Sequence, residues 1–423
     1  MKRFFLILFV LTSLLSSAQQ PDFIYKDNIR TVKLIKAGDM YSYPIITLFG
    51  PDVLELHFDD LDGDVKNYYY TYQLCDVDWT PSTLFSSDYI RGFQSNRIYT
   101  YRNSSIAFTR YTHYQAFFPD RNIMPTRSGN YLLKVFLNDD TSKLVFTKRF
   151  VVVETKVSVA AQVVQPYGGQ YFRTHQRVQV AVNTSKAKLN VFTPQDIKVV
   201  VLQNYVWPTS VLIDKPNIFR GDYYEYNGDE LSFPAGKEWR WINLASIRLM
   251  SDRMRDIVKG PERTDVYVKP DVERAQQVYV YYRDNNGLFT MENMDGYNPF
   301  WQSDYAFTHF TFIPPGNRAY TGKDVHIFGE LTGYNINDST KMDFNVEKGQ
   351  YEKTLLLKQG YYNYSYVTVP DKNLANRPTV LESTEGNYQG TENTYTVLVY
   401  YRPFGARSDE LIGFAKANSL GGF

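Results

Sequence analysis

Short runs of alternating side chains recur along this chain, separated by Gly, Pro, Asn or Asp. They include "VLELHF" at 53–58, "NYYYTYQL" at 67–74, "NYLLKVFL" at 130–137, "VFTKRFVVVE" at 145–154, "RVQVAVN" at 177–183 and "IKVVVLQN" at 197–204. Further along come "QVYVYYR" at 277–283, "THFTFI" at 308–313, "DVHIFGEL" at 324–331, "YEKTLLLK" at 351–358, "YYNYSYVTV" at 361–369 and "YTVLVYYR" at 395–402. A period of two puts alternate side chains on opposite faces, so such runs bury one face as strands of antiparallel sandwiches. The 36 tyrosines reinforce this, because an aromatic ring with a polar tip suits a half-buried pleated surface. Helix is scarce, with "LASIRLMSDRMRDIVK" at 244–259 as the single candidate. The expected fold is all-β: tandem Ig-like (E-set) β-sandwich domains with little helix.

The N-terminus is read separately. Lys2 and Arg3 precede the apolar run "FFLILFVLTSLL" and the small residues of "SSAQQ", the pattern of a secretory signal peptide spanning 1–18 and cleaved after Ala18. The apolar run is about 12 residues against the roughly 20 that span a bilayer, so export without a membrane anchor is expected. With one cysteine, Cys75, no internal disulfide is available, and stability must come from apolar cores. A net charge of +1 with interspersed signs argues against nucleic acid or an anionic membrane as partner. Composition shifts divide the mature chain into 19–155, 156–274 and 275–423, each a β domain, the last containing a smaller unit at about 320–402.

Four aspartates in six residues, Asp59, Asp60, Asp62 and Asp64, look chemical. An EF-hand loop needs oxygen ligands at positions one, three, five and twelve with Gly at six. Setting Gly63 at six puts Asp60 and Asp62 at three and five but leaves Phe58 at one and Tyr69 at twelve, so the register fails and a looser calcium loop is the lesser alternative. The expected reading is a tight type I′ hairpin at Asp62-Gly63, joining the Leu54, Leu56 and Phe58 strand to the Tyr68, Tyr70 and Tyr72 strand with its acidic tip in water. His57, His113, His175, His309 and His326 are scattered singly, without the short spacings of a zinc site, and a structural role is expected. Cys75 lies in an apolar strand and is expected to be inert. Asp76 and Asp78 could form a hydrolase pair or cap a turn, and the turn is favoured. No nucleophile elbow and no metalloprotease motif occurs. The rings in "GDYYEY" (221–226), "KEWRWINL" (237–244) and "MDGYNPFW" (294–301) are core candidates that could alternatively meet sugars or a partner.

The stretches "FDDLDGDVKNYYYTYQLCDVDWTPS" (58–82), "YIRGF" (89–93), "YTHYQAFFP" (111–119), "SGNYLLKVFLNDD" (128–140), "KRFVVVE" (148–154), "IKVVVLQNYVW" (197–207), "LSFPAGKEWRWINL" (231–244) and "VYYRPFGARSDELIGFA" (399–415) carry a resemblance. In this order they resemble the type IX secretion system plug protein family of exported Bacteroidota proteins, over nearly the whole mature chain. That resemblance implies a periplasmic protein without catalytic activity or cofactor. It would dock at the periplasmic mouth of the large outer-membrane translocon barrel and close the pore while no cargo moves. A second resemblance, over about 320–370, is to glycogen-binding sandwich modules, although Gly333-Tyr334-Asn335 stands where those modules carry a sugar-stacking tryptophan. It leaves a periplasmic carbohydrate-binding protein as the alternative. The sequence assigns no catalytic, cofactor-binding or metal residues, and it does not identify the residues that would meet a partner.

Overall fold

A computed structural model describes residues 20–187, 189–370 and 380–421; the expected leader at 1–18 lies outside them. The described chain is all-β, and no helix in it reaches seven residues. Eleven of the alternating runs are strands or lie within a residue or two of one. The exception is 277–283, which belongs to no sheet. The candidate helix at 244–259 is instead a loop followed by the strand Met254–Lys259, which pairs with Thr264–Val268. Ile247 and Met254 reach the core while Leu249 and Met250 face solvent, so the apolar spacing that suggested a helix is split between loop and strand.

The first sandwich packs the sheet Ile29–Lys36, Leu54–Asp60, Thr112–Phe118, Thr100–Asn103 on the sheet Ile45–Thr47, Leu144–Val153, Gly129–Leu137, Tyr68–Cys75, Asn96–Arg97. Leu54, Leu56 and Phe58 point into this core against Tyr68, Tyr70, Tyr72, Phe146 and Phe150, as alternation dictates. All seven residues of Leu54–Asp60 are nevertheless buried, so the outer face of that strand is covered as well.

The second sandwich begins with Ser158–Val164, His175–Asn183, Tyr223–Tyr226 and Ile218–Arg220 in one sheet. Its facing sheet runs Val211–Ile213, Ile197–Gln203, Thr394–Tyr401, Glu410–Asn418. The pairing runs from Ile197 with Tyr401 to Gln203 with Tyr395, and it corrects the division drawn at 274. The second sandwich is built from both sides of that boundary, and a third unit is inserted between its halves. The unit drawn at about 320–402 is likewise split, since 323–370 belongs to the insertion and 394–401 to the second sandwich. Sequence order does not set strand partners here: Val397 and Val399 complete the apolar face begun by Val199 and Val201.

The inserted unit also has two main layers. Gly360–Pro370 pairs with Arg240–Asn243, Phe289–Met291 and Lys323–Phe328, while Tyr305–Ile313 and Gln350–Lys358 lie centrally in the other layer. Val325, Ile327, Phe310, Tyr364 and Tyr366 fill the space between them.

Candidate functional site

The acidic stretch lies at the meeting of the first sandwich and the inserted unit. Leu54–Asp60 and Tyr68–Cys75 belong to different sheets, so the segment between them is a sheet-to-sheet corner and not a hairpin. Gly63 has φ +70° whereas Asp62 stays at negative φ, which excludes a type I′ turn, where both would be positive. The Gly63 N–H donates to the Asp60 carbonyl at 3.3 Å. The acidic tip is only half in water: Asp62 and Asp64 are exposed, but Asp59 and Asp60 are fully buried.

The carboxylates of Asp60, Asp62 and Asp64 converge within 4.8 Å of one another, as a cation site would. The Lys66 ammonium is placed among them, 2.8 Å from Asp60 and 3.2 Å from Asp64, and bonded also to Asp62. Asn28 and the Tyr68 hydroxyl donate to Asp60 as well. The lysine thus supplies the positive charge that a metal would otherwise bring.

Asp59 points the other way. Its Oδ1 is 2.6 Å from His113 Nδ1, and its Oδ2 accepts from Lys358 Nζ and from the Tyr305 hydroxyl, both at 2.6 Å. Lys358 also donates to the Phe300 carbonyl and lies 4.2 Å from the centre of the Tyr111 ring. Burial alone would raise the Asp59 carboxyl; the charge of Lys358 and the bond to His113 hold it below its ordinary value instead. Burial drives His113 down to about 4 against the pull of Asp59. The chain of polar groups continues from His113 to His57 at 3.0 Å and from His57 to Glu55 at 2.8 Å. Burial would raise Glu55, but bonds from His57, the Gly38 N–H and Gln115 bring it down to about 2. Phe300 lies flat on the His57 ring at 4.3 Å. His57 and His113 thus link buried acids inside a packed interface.

Asp76 and Asp78 close a turn rather than face each other as an acid and base. Asp78 accepts from the Thr80 N–H and hydroxyl, and Asp76 accepts from Arg402 at 2.7 Å and from the Asp409 N–H at 3.1 Å. Asp409 returns the contact by accepting from the Val77 N–H at 3.0 Å. This reciprocal pair of bonds braces the first sandwich against the second. Cys75 is buried, and burial pushes its thiol up to about 12, so it is no nucleophile near neutrality.

The proposed sugar-platform position is not a platform. Tyr334 packs against Phe328 and Trp239, and its hydroxyl donates to the Gly287 carbonyl at 3.3 Å. Its ring also lines a cavity of about 60 Å³ where all three units meet, beside Tyr43, Tyr205, Trp207 and Arg149. Of the three aromatic motifs, "GDYYEY" places Tyr224 and Tyr226 in the core and Tyr223 outside. Trp241 meets Tyr282 edge-on, and Phe300 caps His57.

Residues 29–154 match the family described as type 9 secretion system plug protein, first domain. A crystal structure of a hypothetical protein from Parabacteroides merdae is 31% identical, over 95% of this chain and 100% of that one, with a TM-score of 0.89. The chain belongs to the type IX secretion system plug protein family. Its first sandwich, which carries Asp59, Asp76 and the Lys66 cluster, coincides with the matched first domain of the plug family. Domains D2 and D3 of the major pilin SpaD from Corynebacterium diphtheriae, at 9% identity over 48% of this chain and 72% of that one, give a TM-score of only 0.12. No curated protein matches the chain. No helix among the described residues is long and apolar enough to cross a membrane.

Sequence reasoning did not single out Lys358, Tyr305 or Asp409 as partners of the marked aspartates. The available signal was weak: Lys358 ends the run "YEKTLLLK", and a lysine closing an apolar strand is usually solvated.

Proposed function

We propose that this chain is a non-enzymatic periplasmic plug that docks on the outer-membrane translocon barrel of the type IX secretion system. It seals the periplasmic opening when no cargo is in transit, and it needs no cofactor. Membership of the plug family carries this reading. The architecture supports it physically, because a seal has to resist deformation. Three β units are cross-braced here by the buried Asp59 to Lys358 pair and by the reciprocal Asp76 and Asp409 bonds. The acids that could suggest catalysis are engaged in those braces.

The barrel contact is assigned to the surface where loops of the first sandwich and the inserted unit adjoin. Ile106 and Phe108 line a groove there with Ile247 and Arg248, and Leu249, Met250 and Met294 stand exposed on the neighbouring loops. Exposed large apolar side chains grouped in this way suit a protein partner.

The test is copurification of the tagged chain with the barrel from native membranes, together with pore closure measured by dye or antibiotic entry. Association with the barrel, and a leaky pore on deletion of the chain, are expected. A chain that never associates with the barrel, or a deletion that leaves the pore closed, overturns the proposal. Leu249→Asp combined with Met250→Asp is expected to weaken association without unfolding the protein.

A further inference from the structure

The chain passes between the second sandwich and the inserted unit twice. It leaves after Ser232–Pro234 to enter Arg240–Asn243, and it returns before Thr394–Tyr401. The two crossings lie side by side. The Tyr388 N–H and the Thr391 hydroxyl both donate to the Gly236 carbonyl at 2.9 Å, and Asn393 donates to the Ala235 carbonyl at 2.9 Å.

Each crossing carries a glutamate. Glu238, on the outgoing one, is 2% exposed. Its Oε1 accepts from the Tyr279 hydroxyl and, at 3.4 Å, from the Glu392 N–H, while its buried Oε2 has no hydrogen-bond partner among the described residues. Glu392, on the returning crossing, accepts from Asn286 at 2.8 Å and from Asn418. Asp284, from the inserted unit, accepts from the Trp239 and Asn286 N–H groups. The nearby cations are directed elsewhere. Arg274 donates to the Glu238 carbonyl, the Tyr282 hydroxyl and Glu385, and Lys237 donates to the carbonyls of Arg274, Ala275 and Gln277. Of the tyrosines, Tyr282 donates to the Glu238 carbonyl at 3.1 Å and Tyr388 stacks on Tyr279 at 4.2 Å.

We propose that Glu238, Asp284 and Glu392 form a proton-sensitive clasp that holds the two crossings together and loosens when Glu238 ionises. A buried oxygen without a donor is costly as a carboxylate and far less so as a carboxyl. Burial, aided by the charges of Asp284 and Glu392 and opposed by the bonds from the Tyr279 hydroxyl and the Glu392 N–H, pushes Glu238 up to about 7, and burial pushes Asp284 up to about 6. A folded-state value above the ordinary 4.5 means that the closed form retains a proton the opened form releases. The clasp is therefore complete below about 4.5, and its contribution declines from there and is lost as pH rises through about 7. The device sits at the joint between two units, where a small change in closure would alter their relative tilt.

The test is amide hydrogen exchange of the crossing segments, 236–239 and 388–392, in the full chain at about pH 5.5 and about pH 8, corrected for the intrinsic pH dependence of exchange. Protection in the unaltered chain is expected to fall roughly tenfold or more between the two conditions. Glu238→Gln, which keeps the shape and cannot ionise, is expected to stay protected at both. Equal protection at the two pH values in the unaltered chain overturns the proposal, as does an undiminished fall in Glu238→Gln. Should Glu238→Gln fail to fold, Asp284→Asn replaces it with a reduced fall expected, and an unreduced fall overturns the proposal.

Discussion

Asp59 and Lys358, 299 residues apart in the chain, meet at 2.6 Å with both side chains fully excluded from water. Their attraction offsets the large cost of burying two charges, but removal of one partner leaves the other uncompensated. Lys358→Met is expected to destabilise the protein by about 3–5 kcal/mol, and Asp59→Asn in the same chain to recover part of that loss. Thermal unfolding of the single and double variants measures both.

His113 predicts a specific acid sensitivity. Its folded-state value near 4 lies below the ordinary 6.5, so the unfolded chain binds a proton that the native one refuses. Stability from this group is complete above about 6.5 and falls as pH drops toward about 4. The clasp at Glu238 acts in the opposite direction over an overlapping window, so bulk unfolding reports a sum. The imidazole proton resonances of His113, followed by NMR, are expected to titrate with a midpoint near 4.

Lys66 occupies the place of a cation among Asp60, Asp62 and Asp64. Lys66→Ala is expected to lower stability by about 1–3 kcal/mol because buried Asp60 loses a charged donor. Millimolar calcium is expected to restore part of the melting temperature in that variant while leaving the unaltered protein unchanged, and calorimetry with and without calcium reads the difference.

The Cys75 thiol, buried and pushed up to about 12, is expected to ignore a thiol reagent such as Ellman's in the native protein at neutral pH. Reaction is expected to appear only with unfolding, so that its rate follows the denaturant concentration.

Strand pairing predicts which fragments fold. A piece covering 156–274 lacks Thr394–Tyr401 and Glu410–Asn418, and with them the Tyr395, Val397, Val399 and Ile412 side of the second core. It is expected to remain unfolded by circular dichroism. A chain in which residues 240–385 are replaced by a short linker retains both sheets of that sandwich and is expected to keep its strand signal.

The residues themselves determined a great deal. Alternation in "VLELHF" and "NYYYTYQL" placed Leu54, Leu56, Phe58, Tyr68, Tyr70 and Tyr72 in a sandwich core, because a strand can bury one face only with period two. The order of the motifs marked the family. Tertiary structure decided what no local pattern encodes. Asp62-Gly63 turns a corner between sheets because each flanking strand finds its partners elsewhere, and a tight turn and a corner draw on the same residues. Asp59 falls on the parity that alternation assigns to solvent, and it became a buried anchor only because a separate unit covers that face. The last two strands returned to the second sandwich for the same reason: hydrogen-bond partners and complementary apolar faces are chosen in space, at any distance along the chain.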